Sequence, residues 1–100
     1  MILEIVTTYI KPGQEAAFEE AFKSASHYIA ESSGYIGHEL RRCIEVKGKY
    51  VNMIRWQTVE DHMVGFRSSE RFQHFREELS PFYDRPSDMN HYEIVMQNPV

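Results

Sequence analysis

The apolar pattern of the chain predicts an α+β fold: a four-stranded antiparallel sheet with two helices on one face, in the order βαββαβ. Three observations predict it. Residues of β-branched and aromatic type gather in four runs, 2–10, 35–46, 50–57 and 90–96. Between the first and second runs, and again after the third, the apolar spacing lengthens to that of a helix. The second and third runs are separated only by the polar turn Lys47-Gly48-Lys49, as in an antiparallel hairpin.

The first strand, with Ile2, Ile5, Val6, Thr7, Thr8, Tyr9 and Ile10, stops at the breaker Pro12-Gly13. From Gln14 onward Phe18, Ala21, Phe22, Ala25 and Ile29 share one helical face, with Glu19, Glu20 and Lys23 on the other. Ser32-Ser33-Gly34 closes this helix, because glycine accepts the left-handed conformation that ends helices. The hairpin follows, with Tyr35, Ile36, His38, Leu40, Ile44 and Val46 in one arm and Tyr50, Val51, Met53, Ile54 and Trp56 in the other. Thr58 offers an oxygen to the start of the next helix, with Asp61 as an acidic partner in its first turn. Gly65 and Arg67-Ser68-Ser69 interrupt that helix before Phe72, Phe75 and Leu79 resume the spacing, so two short helices with a kink are expected. Pro81 and Pro86 bracket a loop from Ser80 to Asp88, and Asn90 to Met96 supplies the fourth strand.

Two helices cover one face of such a sheet. The third strand has Tyr50, Ile54 and Trp56 on one side and Val51 and Met53 on the other, so the uncovered face calls for a partner. A homodimer that packs two such faces together would bury this surface and join the sheets into a barrel-like whole.

One hundred residues fit a single domain spanning 1–100. The N-terminus lacks a basic segment and a long apolar run, and no stretch reaches the ~18 apolar residues of a membrane span, so no signal peptide or membrane partner is expected and a cytoplasmic location is the default. The single cysteine, Cys43, forms neither an internal disulfide nor a four-ligand zinc set and is expected as a buried, inert thiol on the second strand. Fifteen acidic against eleven basic residues, the latter scattered, argue against a nucleic-acid partner. No phosphate loop or Ser/His/Asp arrangement is visible, which disfavours nucleotide cofactors. His74 and Glu78, four apart on a helix, are too few ligands for a metal site.

The run Tyr50-Val51-Asn52-Met53-Ile54-Arg55-Trp56, with Thr58 to His62 and Gly65 to Gln73 after it, resembles the strand-to-helix core of the antibiotic biosynthesis monooxygenase family. Ile5 to Gly13 with Glu15-Ala16-Ala17-Phe18, Gly34 to His38, Phe82-Tyr83-Asp84 and His91-Tyr92 are similar to the same family. The resemblance covers nearly the whole chain and implies a ferredoxin-like subunit in a dimeric α/β barrel. Some members oxidise aromatic polyketides without metal or flavin, and others degrade haem with an asparagine, a tryptophan and a histidine. On the Ser-x-x-Phe stretch those positions fall at Val6 or Thr7, Gly65 or Phe66, and Arg76, so the haem triad is absent.

The resemblance therefore implies a cofactor-independent monooxygenase acting on a small, flat, largely apolar molecule, quinol- or polyketide-like. Such chemistry needs a base, an apolar enclosure and donors for developing negative charge. His62 and His91 are the candidate bases, because imidazole titrates near neutral pH. Arg67 is the candidate stabiliser of an enolate or peroxide anion. Trp56 and Phe66 are candidates to stack on a planar ring, and Tyr83 and Tyr9 to bond a substrate oxygen. Five have a structural alternative: Trp56 as core, His62 as a solvated helix residue, His91 as a satisfied histidine at the dimer interface, Arg67 as a cap of the preceding helix or paired with Glu70, Tyr83 sealing the domain edge. Phe18, Phe22, Phe72 and Phe75 are assigned to the core. The alternative function is a non-catalytic dimeric module that binds a small molecule or serves a stress response.

Overall fold

In the computed structural model, which describes residues 1–99, the sheet is made of β1 (Ile2–Tyr9), β2 (Tyr35–Arg42), β3 (Lys49–Trp56) and β4 (Asp88–Tyr92). The helices are α1 (Glu15–Ala30) and α2 (Glu70–Leu79). The spatial order is β2-β3-β1-β4, every neighbouring pair is antiparallel, and α1 and α2 pack on one face. The βαββαβ expectation holds in full.

Parity along the strands decides what faces the helices. On β3 Tyr50, Asn52, Ile54 and Trp56 are buried while the odd residues between them are half-exposed, as period-two geometry requires. On β1 the inward set contains Glu4, Val6 and Thr8, followed by Ile10 just past the strand. Helix α1 buries Phe18, Phe22, Ala25 and Ile29, steps of four, three and four that keep one face on the sheet. It ends at Ala30, capped by Glu31, and Gly34 at φ +81° instead shapes the turn into β2, where a Cβ would also collide with the Asp61 carboxyl.

Three strand boundaries differ from the sequence reading by more than one residue. β2 ends at Arg42 because its partner β3 begins at Lys49, and Cys43 N–H closes the loop onto the Lys49 carbonyl at 2.9 Å. Cys43 is therefore a half-buried loop residue, and Ile44 lies open to solvent. β4 starts at Asp88, inside the expected loop, and stops at Tyr92 because Tyr92 already pairs with Leu3 near the start of β1. Ile94, Val95 and Met96 consequently lie outside the sheet and exposed.

The expected kink is a π-helical segment, Asp61–Phe66, whose wide turn is closed by Arg67 N–H on the His62 carbonyl at 2.8 Å. Thr58 Oγ1 accepts from Asp61 N–H at 3.1 Å, the expected start. Ser69 then caps α2 by accepting from Phe72 N–H at 3.3 Å. The wide turn exposes Met63, Val64 and Gly65 and directs His62 and Phe66 inward.

Candidate active site

Between the sheet and the helices lies a cavity of about 650 Å³, in the size range of small-molecule sites. Its floor is one register row, Leu40, Asn52, Val6 and Met89, contributed by the four strands in spatial order. Phe66, Phe72 and Phe75 form much of the roof. Phe72 and Phe75 are thus half-buried cavity walls as well as core.

At one end of the floor sits a carboxyl group. Glu4 is 3% exposed and lies beside His91 and Ile54 in the sheet register. Trp56 Nε1–H donates to Glu4 Oε1 at 2.9 Å. His62, 2% exposed, descends from the π-helical turn onto the pair: its Nε2 is 3.2 Å from Glu4 Oε2 and its Nδ1 is 2.8 Å from His91 Nε2. Four residues far apart in the chain form one continuous polar path, Trp56, Glu4, His62, His91, within an aromatic surround.

Burial sets the protonation of this path. Desolvation pushes the Glu4 carboxyl up to about 7, against the Trp56 donor and the Arg67 charge, which lower it. Desolvation, with the nearby His91 and Arg67, pushes His62 down to about 4. An ionised pair in this setting would cost several kcal/mol of desolvation per ion. Near pH 6 both groups are therefore neutral, with Glu4 donating to His62 Nε2 and His62 Nδ1–H donating to His91 Nε2. Ionising Glu4 reverses both bonds, so the path carries a proton by exchanging tautomers.

The other candidates divide. His62, Arg67, Phe66 and Tyr83 line the cavity, and His91 reaches it through His62. Arg67 is not paired with Glu70; its guanidinium lies 5.2 Å from the Phe72 ring centroid and acts electrostatically on Glu4 and His62. Trp56 is fully buried and stacks on His62, so it positions the Glu4–His62 pair and does not line the cavity. Tyr9 falls on the odd register of β1, facing away from the cavity, where its ring stacks with Arg85 at 4.1 Å. Burial pushes the Tyr83 hydroxyl up to about 12, so it stays protonated and able to donate. His74 stacks on Tyr28 at the surface, and no group of three metal-ligating residues occurs among the described residues.

Glu4 and Asn52 were not among the sequence candidates. Each carries a signal in hindsight: Glu4 is the one charged residue of the inward set on the first strand, and Asn52 is the one amide among Tyr50, Ile54 and Trp56.

Two helices on one face of an antiparallel sheet in the order β2-β3-β1-β4 make a ferredoxin-like subunit. The chain belongs to the antibiotic biosynthesis monooxygenase family, whose model matches residues 1–78. The uncharacterised protein YczJ of Bacillus subtilis (strain 168) is 38% identical over 95 residues, 95% of this chain and 100% of YczJ. A crystal structure from Bordetella bronchiseptica with the same family designation is 34% identical, superposes with a TM-score of 0.91, and is matched over 95% of this chain and 97% of that one. SnoaB from Streptomyces nogalater, a cofactor-independent oxygenase, shares the fold at a TM-score of 0.83 and 19% identity, over 99% of this chain and 98% of SnoaB.

Proposed function

We propose that this protein is a cofactor-independent monooxygenase of a small, flat, largely apolar molecule of quinol or polyketide type, with Glu4 as the base. One observation carries the reading: a buried carboxyl that titrates near neutrality borders an aromatic cavity and has a proton path leading away from it. The family membership and the cofactor-independent chemistry of SnoaB support the same reading.

For an anthrone-type ring CH₂ group, the Glu4 carboxylate removes one C–H proton, leaving an enolate stabilised by the Arg67 charge. The enolate is the reductant. It transfers electrons to dioxygen, a C–O bond forms, and the proton held on Glu4 returns to the peroxide oxygen. Loss of the second C–H proton then cleaves the O–O bond: one oxygen remains as the ring carbonyl and the other leaves as water. His62 and His91 extend the hydrogen-bonded path behind Glu4 and let it switch between donor and acceptor, Phe66 packs on the ring, and Tyr83 donates to a ring oxygen. Oxygen-electrode assays with anthrone and naphthoquinol substrates test the proposal. An enzyme-dependent rate that rises with pH through about 7, the Glu4 value, is expected. The absence of any such rate would leave a binding module in its place.

The working unit is a homodimer in this reading. Leu3, Ile5, Val51 and Met53 form a half-exposed apolar stripe on the face the helices leave open, and Ile94, Val95 and Met96 are exposed as well. Burying a lysine against its own copy is costly, so Ile5→Lys is expected to convert a dimer into a monomer in sedimentation velocity at micromolar concentration. A wild-type monomer under those conditions would refute this part.

A further inference from the structure

The charge around the cavity runs against that of the molecule. The chain is net −4, yet the charged residues lining the cavity are Glu4 and three arginines, Arg67, Arg76 and Arg85, the last with its guanidinium over the outward-facing Tyr9 ring. Arg41, Arg42 and Arg55 are each within 4.0 Å of a carboxylate, whereas Arg67, Arg76 and Arg85, and outside the cavity Arg71, have no such partner among the described residues.

A second observation falls at the same place. Among the described residues three buried side-chain polar atoms lack any hydrogen-bond partner: Thr8 Oγ1, Asn52 Oδ1 and Ser87 Oγ. All three residues line this cavity, and Thr8 and Asn52 are only 4% and 5% exposed. Leaving one such group unpaired costs about 1–3 kcal/mol, so their gathering in one cavity wall marks a place where a polar ligand supplies the missing bonds.

The register separates these groups into two poles. β1 and β4 pair Val6 with Met89 and Thr7 with Asp88; Thr8 is the next residue on β1 and Ser87 immediately precedes β4, and both line the cavity. This hydroxyl pair lies four residues along β1 from Glu4, about 13 Å at strand rise. Arg85 precedes it in the chain, and Arg76 lines the cavity from α2 with Ser80 one turn further on. Arg67 stands at the other pole, where its charge acts on Glu4 and His62. Asn52 lies between the poles, opposite Val6.

We infer that the natural ligand is an aromatic acid: a ring system of about two fused rings whose carboxylate is held at the Thr8–Ser87 end by Arg76 and the two hydroxyls, and whose hydroxyl donates to Asn52 Oδ1. A guanidinium and two hydroxyl donors suit a carboxylate, and an unpaired carbonyl oxygen needs a donor. The inference rests on the cavity being the substrate site proposed above and adds the charge of what enters it.

The test uses binding alone, with probes that do not react with oxygen. Isothermal titration of 2-naphthoate and of its neutral near-isostere 2-naphthamide is expected to show the acid binding at least tenfold tighter at low salt. In Arg76→Gln, and separately in the Thr8→Val/Ser87→Ala double variant, that preference should fall to within threefold. An unchanged circular-dichroism spectrum and continued binding of the amide report that the fold and the cavity are intact. Equal affinities in the wild type, no binding of either probe, or a preference untouched by Arg76→Gln would overturn the inference. Turnover of neutral quinols without an acid preference would overturn it and leave the oxygenase reading standing. Acid-selective binding without turnover would do the reverse.

Discussion

Glu4→Gln is expected to lower kcat/KM for a reactive quinol or anthrone by about 10²–10⁴, the range for loss of a general base. The affinity for 2-naphthoate should stay within about threefold, since glutamine keeps the shape and still accepts from Trp56. The same variant should uncover a pH dependence of stability that the wild type conceals. Glu4 is raised from 4.5 to about 7, so its contribution is full below 4.5 and is lost as pH rises to about 7. His62 is lowered from 6.5 to about 4, so its contribution is present above 6.5 and is lost as pH falls to about 4. The two windows nearly coincide and the signs are opposite. Near pH 5.5 the unfolded chain carries a carboxylate and an imidazolium, the folded chain a carboxylic acid and an imidazole, and folding takes up no net proton at the pair.

Urea denaturation of Glu4→Gln should therefore show stability falling below pH 6.5 by up to about 1.4 kcal/mol per pH unit, beyond any wild-type change. His62→Gln should show the mirror image, stability falling as pH rises from about 4.5 to 7. Parallel wild-type and Glu4→Gln curves would mean that the pair does not hold the neutral form, and the base assignment would fail with it.

The largest loss of stability is expected from Trp56→Ala, about 3–5 kcal/mol, because the indole is fully buried and its removal leaves a void between Tyr35, His62 and Phe66. For a chain of this size that lowers Tm by more than about 10 °C. Trp56→Phe separates packing from hydrogen bonding. It keeps most of the volume but deprives Glu4 Oε1 of its donor, which costs about 1–3 kcal/mol. That donor lowers the Glu4 value. Its loss should move the rising limb of the pH–rate profile to higher pH, which a purely structural role for Trp56 would not do. A limb that stays in place while Tm falls would assign Trp56 to the core alone.

The path from sequence to site shows where local pattern stops. Period two on β1 and β3 and period 3.6 on α1 depend only on backbone geometry, so the element order and the inward residues of β3 were readable directly. Strand ends were not, because a strand ends where its partner does: β4 stops at Tyr92 for want of β1 residues beyond Leu3, and Ile94 to Met96 keep an alternating pattern with nothing to pair. Tyr9 shares the parity of Ile5 and Thr7, which places it on the open face, away from the cavity where a substrate oxygen would sit. His62 and His91 stood out as imidazoles, but their contact did not, since it depends on a π-helical turn closing over an edge strand 29 residues away.

By itself the sequence determined period, parity and family, and with them which side of each strand meets the helices. Only the tertiary structure decided depth and convergence. A side chain's face follows from its neighbours in the chain, but its proton affinity follows from how much water is removed around it and from what folds against it, and for Glu4 those partners lie 52 and 58 positions further on, at Trp56 and His62. The chemistry of this protein resides in that second kind of information.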